Sequence, residues 1–224
     1  CVPPKIIRNS DLGYLIPESE IQKVIQTIGI NQRRYAEPDV CTSDLCYQAA
    51  LKLFEDNRID PASIDALIFI SQTADYKVPP TSTILQHKLG IGQSCLAFDV
   101  NMACSGFVYG LSIACSFASQ SGINRVLLLV GETLSKIISP KDKATVPLFG
   151  DAGTATLIEK GDYPDAWVTL NSDGSGAHIM EIPYGGARHP SCTKGFEEII
   201  DEEYRYCLYP YDKCRFFSRL KRHR

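Results

Sequence analysis

Apolar residues along this chain fall into two kinds of run, and the alternation between them predicts the elements. Ile64–Ser71 and Arg125–Gly131 are nearly continuous apolar stretches bounded by polar residues. Runs of that kind read as strands buried on both faces, as in a parallel sheet lying under helices. Leu96–Val100 is a third such stretch, apolar apart from Asp99, and Thr154–Ile158 and Ala166–Asn171 read as two more strands. Between them, apolar residues recur at helical spacing. Ser19–Thr27 places Ile21, Val24 and Ile25 inward and stops at Gly29. Thr42-Ser43-Asp44 opens a helix that runs through Leu45, Ala49, Leu51 and Leu53 to about Asn57. Thr83–Leu89 forms another, ending at Gly90. From Cys104 onward Phe107, Val108, Leu111, Ala114, Cys115 and Ala118 keep the same spacing, and Gly122 ends that helix.

The segments in between read as turns. Cys1–Ser10 carries Pro3-Pro4 and is expected to be a loop leading to a helix cap near Asn9-Ser10-Asp11. Asn31–Tyr35 reads as a basic turn whose Arg33 and Arg34 either meet an anionic group or are simply solvated. Asp60–Ser63, Pro79-Pro80-Thr81 and Asn171–Gly176 are further breaks, and Ala144–Phe149 leads into Gly150–Gly153. Strands separated by helices, then strand-rich sequence, imply α/β layering around a mostly parallel sheet.

The junction at residues 100–106 carries the chemistry. Ala103, Ser105 and Gly106 are small, so a strand runs into a tight turn and Cys104 stands where a helix begins. The first turn of a helix exposes backbone N–H groups and the positive end of the macrodipole. Both favour a thiolate, which is the nucleophilic form of cysteine. A small buried apolar residue is the competing reading of Cys104, since that is how free cysteine usually behaves.

Composition narrows the classes. The chain has 224 residues and a net charge of −3, enough for a sizeable core and without the basic excess of a nucleic-acid binder. No apolar run is long enough to span a bilayer, and no charged-then-apolar leader opens the chain. The nine cysteines are scattered, with neither a Cys-x-x-Cys pair nor zinc-ligand spacing. Reduced thiols in the cytoplasm are the expectation. Glycine-rich nucleotide loops are missing.

With these pieces in place the chain resembles the β-ketoacyl-acyl-carrier-protein synthase III family, condensing enzymes of the thiolase fold. Ala97-Phe-Asp-Val-Asn-Met-Ala-Cys104-Ser-Gly106 is similar to the family's nucleophile motif, and Phe149-Gly-Asp-Ala-Gly153 follows at the family's separation. Gly29-Ile-Asn-Gln-Arg33-Arg34, Pro61–Thr73, Pro79–Gly90, Val130-Gly-Glu-Thr133 and Ser172-Asp-Gly174 match in order. The resemblance covers about residues 3 to 190 and implies a thiolase-like layered α/β fold with only the first of two duplicated halves present. It implies that Cys104 accepts an acyl group from a thioester, commonly acyl-coenzyme A, and passes it to malonyl-acyl-carrier protein with loss of CO2. Acyl carrier protein and acyl-CoA are then the partners, a homodimer the assembly, and no metal or other cofactor is required. Val78, Phe149 and Gly150 fall at substrate-binding positions, Val78 lining the acyl pocket of the partner subunit.

Departures from the family pattern set further expectations. Its catalytic His and Asn motifs have no counterpart, and none of His87, His178, His189 and His223 sits in a matching context. The Trp and Arg that hold adenine in many members are replaced by Lys23 and Thr27. The family's first strand is missing, which is expected to leave neighbouring strands unpaired. Residues 191–224 read as a divergent tail beyond a 1–190 domain. From residue 205 it holds seven Lys/Arg against one acidic residue, expected from a frameshift, a carrier-binding tail or an inert one. A non-catalytic half-thiolase that binds a carrier or partner subunit, or another thioester synthase of the superfamily, is the alternative function.

Overall fold

The computed structural model describes residues 1–138, 140–162, 168–177, 182 and 187–188. The expected tail, 191–224, and His178, His189 and His223 lie outside the described residues. In chain order the elements are β1 (Lys5–Arg8), α1 (Glu18–Ile28), β2 (Gln32–Tyr35), α2 (Thr42–Asn57) and β3 (Ala66–Ile70). After these come α3 (Thr81–Lys88), β4 (Leu96–Val100), α4 (Gly106–Ala118), β5 (Arg125–Thr133) and β6 (Asp151–Glu159). They fall into two compact units.

The first unit comprises Cys1–Pro4, Ala36–Thr133 and Asp151–Leu170. Its sheet has the order β4-β3-β5-β6. β3 pairs in parallel with both β4 and β5, and β6 closes the described sheet antiparallel to β5. The four described strands are contiguous, and β4 and β6 are the two outer strands, each paired with one neighbouring strand. The apolar runs are explained by two covered faces. Leu67 and Phe69 of β3 and Leu127 and Leu129 of β5 join Cys46, Ala50 and Phe54 of α2 and Leu85 of α3. Ala66, Ile68, Ile70, Val126 and Leu128 face the other way, onto Ala114 and Ala118 of α4. At roughly 1.5–3 kcal/mol for each large apolar side chain removed from water, these central strands dominate the unit's stability.

Helix ends follow the glycines. Gly29 closes α1 with φ of 73°, and Gly90 and Gly122 take similar positive φ after α3 and α4. At the start of α2 the Asp44 carboxylate accepts from the backbone N–H of Cys41 at 2.9 Å. The inward face of α2 is Leu45, Cys46, Ala50 and Phe54, while Leu51 is exposed. A glycine pair, Gly131 opposite Gly153, allows α2 to lie on the backbone of β5 and β6. A Cβ on Gly131 would stand 2.7 Å from the Ala152 carbonyl oxygen, and one on Gly153 2.7 Å from Leu45 Cβ.

In α4 the sequence reading needs correction. The buried stripe is Gly106, Gly110, Ala114 and Ala118, four residues apart. Phe107, Val108 and Leu111 are 45%, 51% and 37% exposed. The helix is drawn in by small residues against β3 and β5, because a Cβ on Gly110 would meet Leu128 Cδ1 at 2.8 Å. The large apolar residues therefore turn outward. The strand expected over Ala166–Asn171 is also not formed where it is described: Val168–Asn171 is irregular, and Ala166 and Trp167 lie outside the described residues.

The second unit comprises Lys5–Tyr35, Leu134–Gly150 and the chain from Asn171. The opening loop and the basic turn of the sequence reading are in fact two antiparallel strands, with Lys5 opposite Tyr35 and Arg8 opposite Gln32. Arg33 is buried rather than solvated. Its guanidinium donates to Asn9 Oδ1 and to the Tyr35 hydroxyl, and lies 5.3 Å from the Tyr35 ring centroid. Asn9 in turn donates to the carbonyl oxygens of Ile30 (2.7 Å) and Pro147 (3.2 Å). Leu12, Ile16, Ile21, Ile138 and Val146 form this unit's core.

Candidate active site

Cys104 is delivered by the end of β4 and the start of α4. Val100 ends the strand, residues 101–105 turn, and the helix begins at Gly106 with Ser105 at its cap. Gly106 N–H donates to the Ala103 carbonyl at 2.7 Å, which tightens the turn around the cysteine. A Cβ on Gly106 would stand 2.8 Å from Ile70 Cγ2, so glycine lets the helix start directly against the end of β3. Cys104 is exposed. It is therefore not a buried filler, and it stands ahead of a helix's first turn, whose N–H groups have no intrahelical partners.

The acidic residue in β4 has a local explanation. Asp99 accepts from the backbone N–H groups of Thr81 (2.7 Å) and Ser82 (2.8 Å), so it caps α3 from the neighbouring strand. Two free N–H groups at a helix start are thereby satisfied by a charge of favourable sign.

Beyond β3, a carboxylate the sequence reading passed over organises the turn at residues 71–73. Glu132 of β5 accepts from Gln72 N–H (2.8 Å), the Thr73 hydroxyl (2.7 Å) and the Ser71 hydroxyl (3.2 Å). Burial pushes its carboxyl above the usual range, opposed by these hydrogen bonds. The Thr42 hydroxyl joins the network at 2.8 Å from Thr73 Oγ1 and 2.9 Å from Thr133 Oγ1. The available signal was a polar Glu-Thr pair at the end of an otherwise apolar strand.

Of the other expected site residues, Val78 lies in the same unit on the segment between β3 and α3 and is 83% exposed. His87 is exposed on α3. Phe149 and Gly150 belong to the second unit. Phe149 is partly buried on that unit's apolar core, and Gly150 lies against β2, where a Cβ would be 3.0 Å from Arg33 Cβ. Lys23 and Thr27 line a cavity of about 550 Å³ in this unit, together with Glu20, Val24, Lys143 and Pro147. Among the described residues no cluster of three or more His, Cys, Asp or Glu is arranged to hold a metal ion. No described helix is long and apolar enough to cross a membrane.

Comparison with known proteins places this geometry among relatives. The family model for 3-oxoacyl-[acyl-carrier-protein] synthase III matches residues 98–176. A β-ketoacyl-[acyl-carrier-protein] synthase III of Desulfitobacterium hafniense is 37% identical over 196 residues, which is 86% of this chain and 58% of the relative. The chain thus spans less than two thirds of the length of such relatives. A crystal structure of a 3-oxoacyl-(acyl-carrier-protein) synthase from Burkholderia xenovorans is 40% identical. It superposes with a TM-score of 0.78 over 83% of this chain and 54% of that one. A 3-oxoacyl-(acyl-carrier-protein) synthase III structure gives a TM-score of 0.84 at 32% identity, over 94% of this chain and 63% of that one. The fold is the thiolase-like α/β arrangement of these structures.

Proposed function

This chain belongs to the β-ketoacyl-[acyl-carrier-protein] synthase III family, and from that premise we propose that Cys104 is the nucleophile of an acyl-transfer reaction. The Cys104 thiolate attacks the thioester carbonyl of an acyl-coenzyme A. The carbonyl oxygen becomes an oxyanion, stabilised by backbone N–H groups at the start of α4, and the coenzyme thiolate leaves. In the family's full reaction, in fatty acid or related synthesis, the acyl group then passes from the cysteine to malonyl-acyl-carrier protein, the cysteine thiolate leaving and the malonyl carboxylate departing as CO2. The His and Asn motifs that serve this step have no counterpart in this sequence, so self-acylation of Cys104 is the step proposed for it. The observation that carries this reading is the exposed cysteine at the entry to α4, within the matched segment 98–176.

The remaining assignments belong to the same proposal. The cavity lined by Lys23, Thr27 and Lys143 offers two ammonium groups to a phosphorylated donor, in place of aromatic stacking on adenine. Val78, exposed on its segment, lines the acyl pocket of a second copy in a homodimer, and Phe149 and Gly150 border the substrate. Acyl-CoA and acyl carrier protein are the partners, and no cofactor takes part. The cytoplasm is the proposed location. A second reading, a half-thiolase that binds a partner subunit, is favoured by the outward Phe107, Val108 and Leu111 of α4.

The test is intact-mass spectrometry after incubation with short acyl-CoA thioesters. One acyl group should appear on Cys104, and Cys104→Ala should abolish it. Wild-type protein that stays unmodified by every thioester would overturn the assignment.

A further inference from the structure

We infer that Glu132 is a positioning residue for Cys104. The inference rests on the reading of Cys104 as the acylated nucleophile. Both ends of the Cys104 turn abut the end of β3. On one side, Ser71 N–H donates to the Val100 carbonyl at 3.3 Å, and Val100 is the last residue before the turn. On the other, Gly106 is pressed against the side chain of Ile70. Ile70 and Ser71 are therefore the common floor of the turn and of the helix start.

Glu132 fastens that floor from β5. Its Oε1 takes Gln72 N–H and its Oε2 takes the hydroxyls of Ser71 and Thr73, so one carboxylate gathers three consecutive residues. Thr73 Oγ1 also accepts from Thr133 N–H at 2.9 Å, and Ser71 Oγ accepts from Thr73 N–H at 2.9 Å. The backbone beneath Glu132 has little freedom, since Gly131 is closely flanked by Ala152 and Cys46. A carboxylate on a rigid strand thus sets the height of Ser71, Ser71 sets Val100, and Val100 sets where the turn presents Cys104. Glu132 acts on Cys104 through this succession of contacts, so its effect is on geometry. A displacement on the order of 1 Å at a reacting group can cost as much as about a hundredfold in rate.

Cysteine alkylation resolved residue by residue tests this on the full chain, with iodoacetamide as the probe and peptide mass spectrometry as the readout. Cys46 is fully buried and serves as an internal monitor of opening. Glu132→Ala should lower the Cys104 rate about tenfold while Cys46 stays unreactive. Glu132→Gln keeps an acceptor for Gln72 N–H and should restore part of the rate. If Glu132→Ala does not fold, Glu132→Gln decides alone: a slower Cys104 beside a silent Cys46 supports the inference. An unchanged Cys104 rate overturns it. So does a Cys46 that becomes reactive in step, because Glu132 would then hold only the fold. Failure of the wild type to accept an acyl group would overturn the proposed function, and alkylation would still decide the role of Glu132.

Discussion

Single residues here do work that their type does not announce. Asp99 sits in an apolar strand because its carboxylate caps α3. Asp99→Asn keeps an acceptor oxygen but loses the charge, and should destabilise the chain by about 1 kcal/mol in urea titration. Cys46 carries a pH signature. Burial pushes its thiol from 9.0 up to about 12. The folded chain then binds a proton that the unfolded chain releases, so stability is intact below pH 9 and declines toward pH 12. The loss approaches about 1.4 kcal/mol per pH unit. Urea denaturation at several alkaline pH values should show that slope, and Cys46→Ala should remove its share. Cys104 and Asp99 were visible in the sequence within a segment that resembles the family's nucleophile motif. The cap that Asp99 provides was not, because its partners lie 17 and 18 positions away and meet it only through the fold.

At the level of elements, the sequence was clearest where burial is symmetric. β3 and β5 are covered on both faces, so each gives a continuous apolar run, and the glycines at 29, 90 and 122 marked helix ends by the positive φ they adopt. The β1–β2 pair was missed because its strands are four residues each, rich in charge, and separated by a helix. The face of α4 was misread because period counting rewards large apolar residues, whereas close packing on the sheet selects small ones. Gly110→Ala tests this. In an open helix it would stabilise by about 1 kcal/mol, but here the new methyl meets Leu128 at 2.8 Å. Overpacking of that kind costs about 1–3 kcal/mol, so the melting temperature should fall rather than rise.

For the molecule as a whole, the outward Phe107, Val108 and Leu111 form a row on one helix with little to cover them. Exposed apolar rows mark association surfaces. Sedimentation velocity should show concentration-dependent association, and Phe107→Ser with Leu111→Ser should suppress it without unfolding the chain. A sharp monomer at every concentration would speak against a sticky α4. The paired Gly131 and Gly153 have a consequence for how the sequence can drift. They form a notch into which α2 settles, and the depth of that notch fixes the level from which Thr42 reaches Thr73 and Thr133. In a saturation-mutagenesis survey these two positions should reject every alternative residue as firmly as the proposed nucleophile, Cys104, does. A map of intolerance would then outline a second hot region with no chemistry of its own, whose function is to set a spacing.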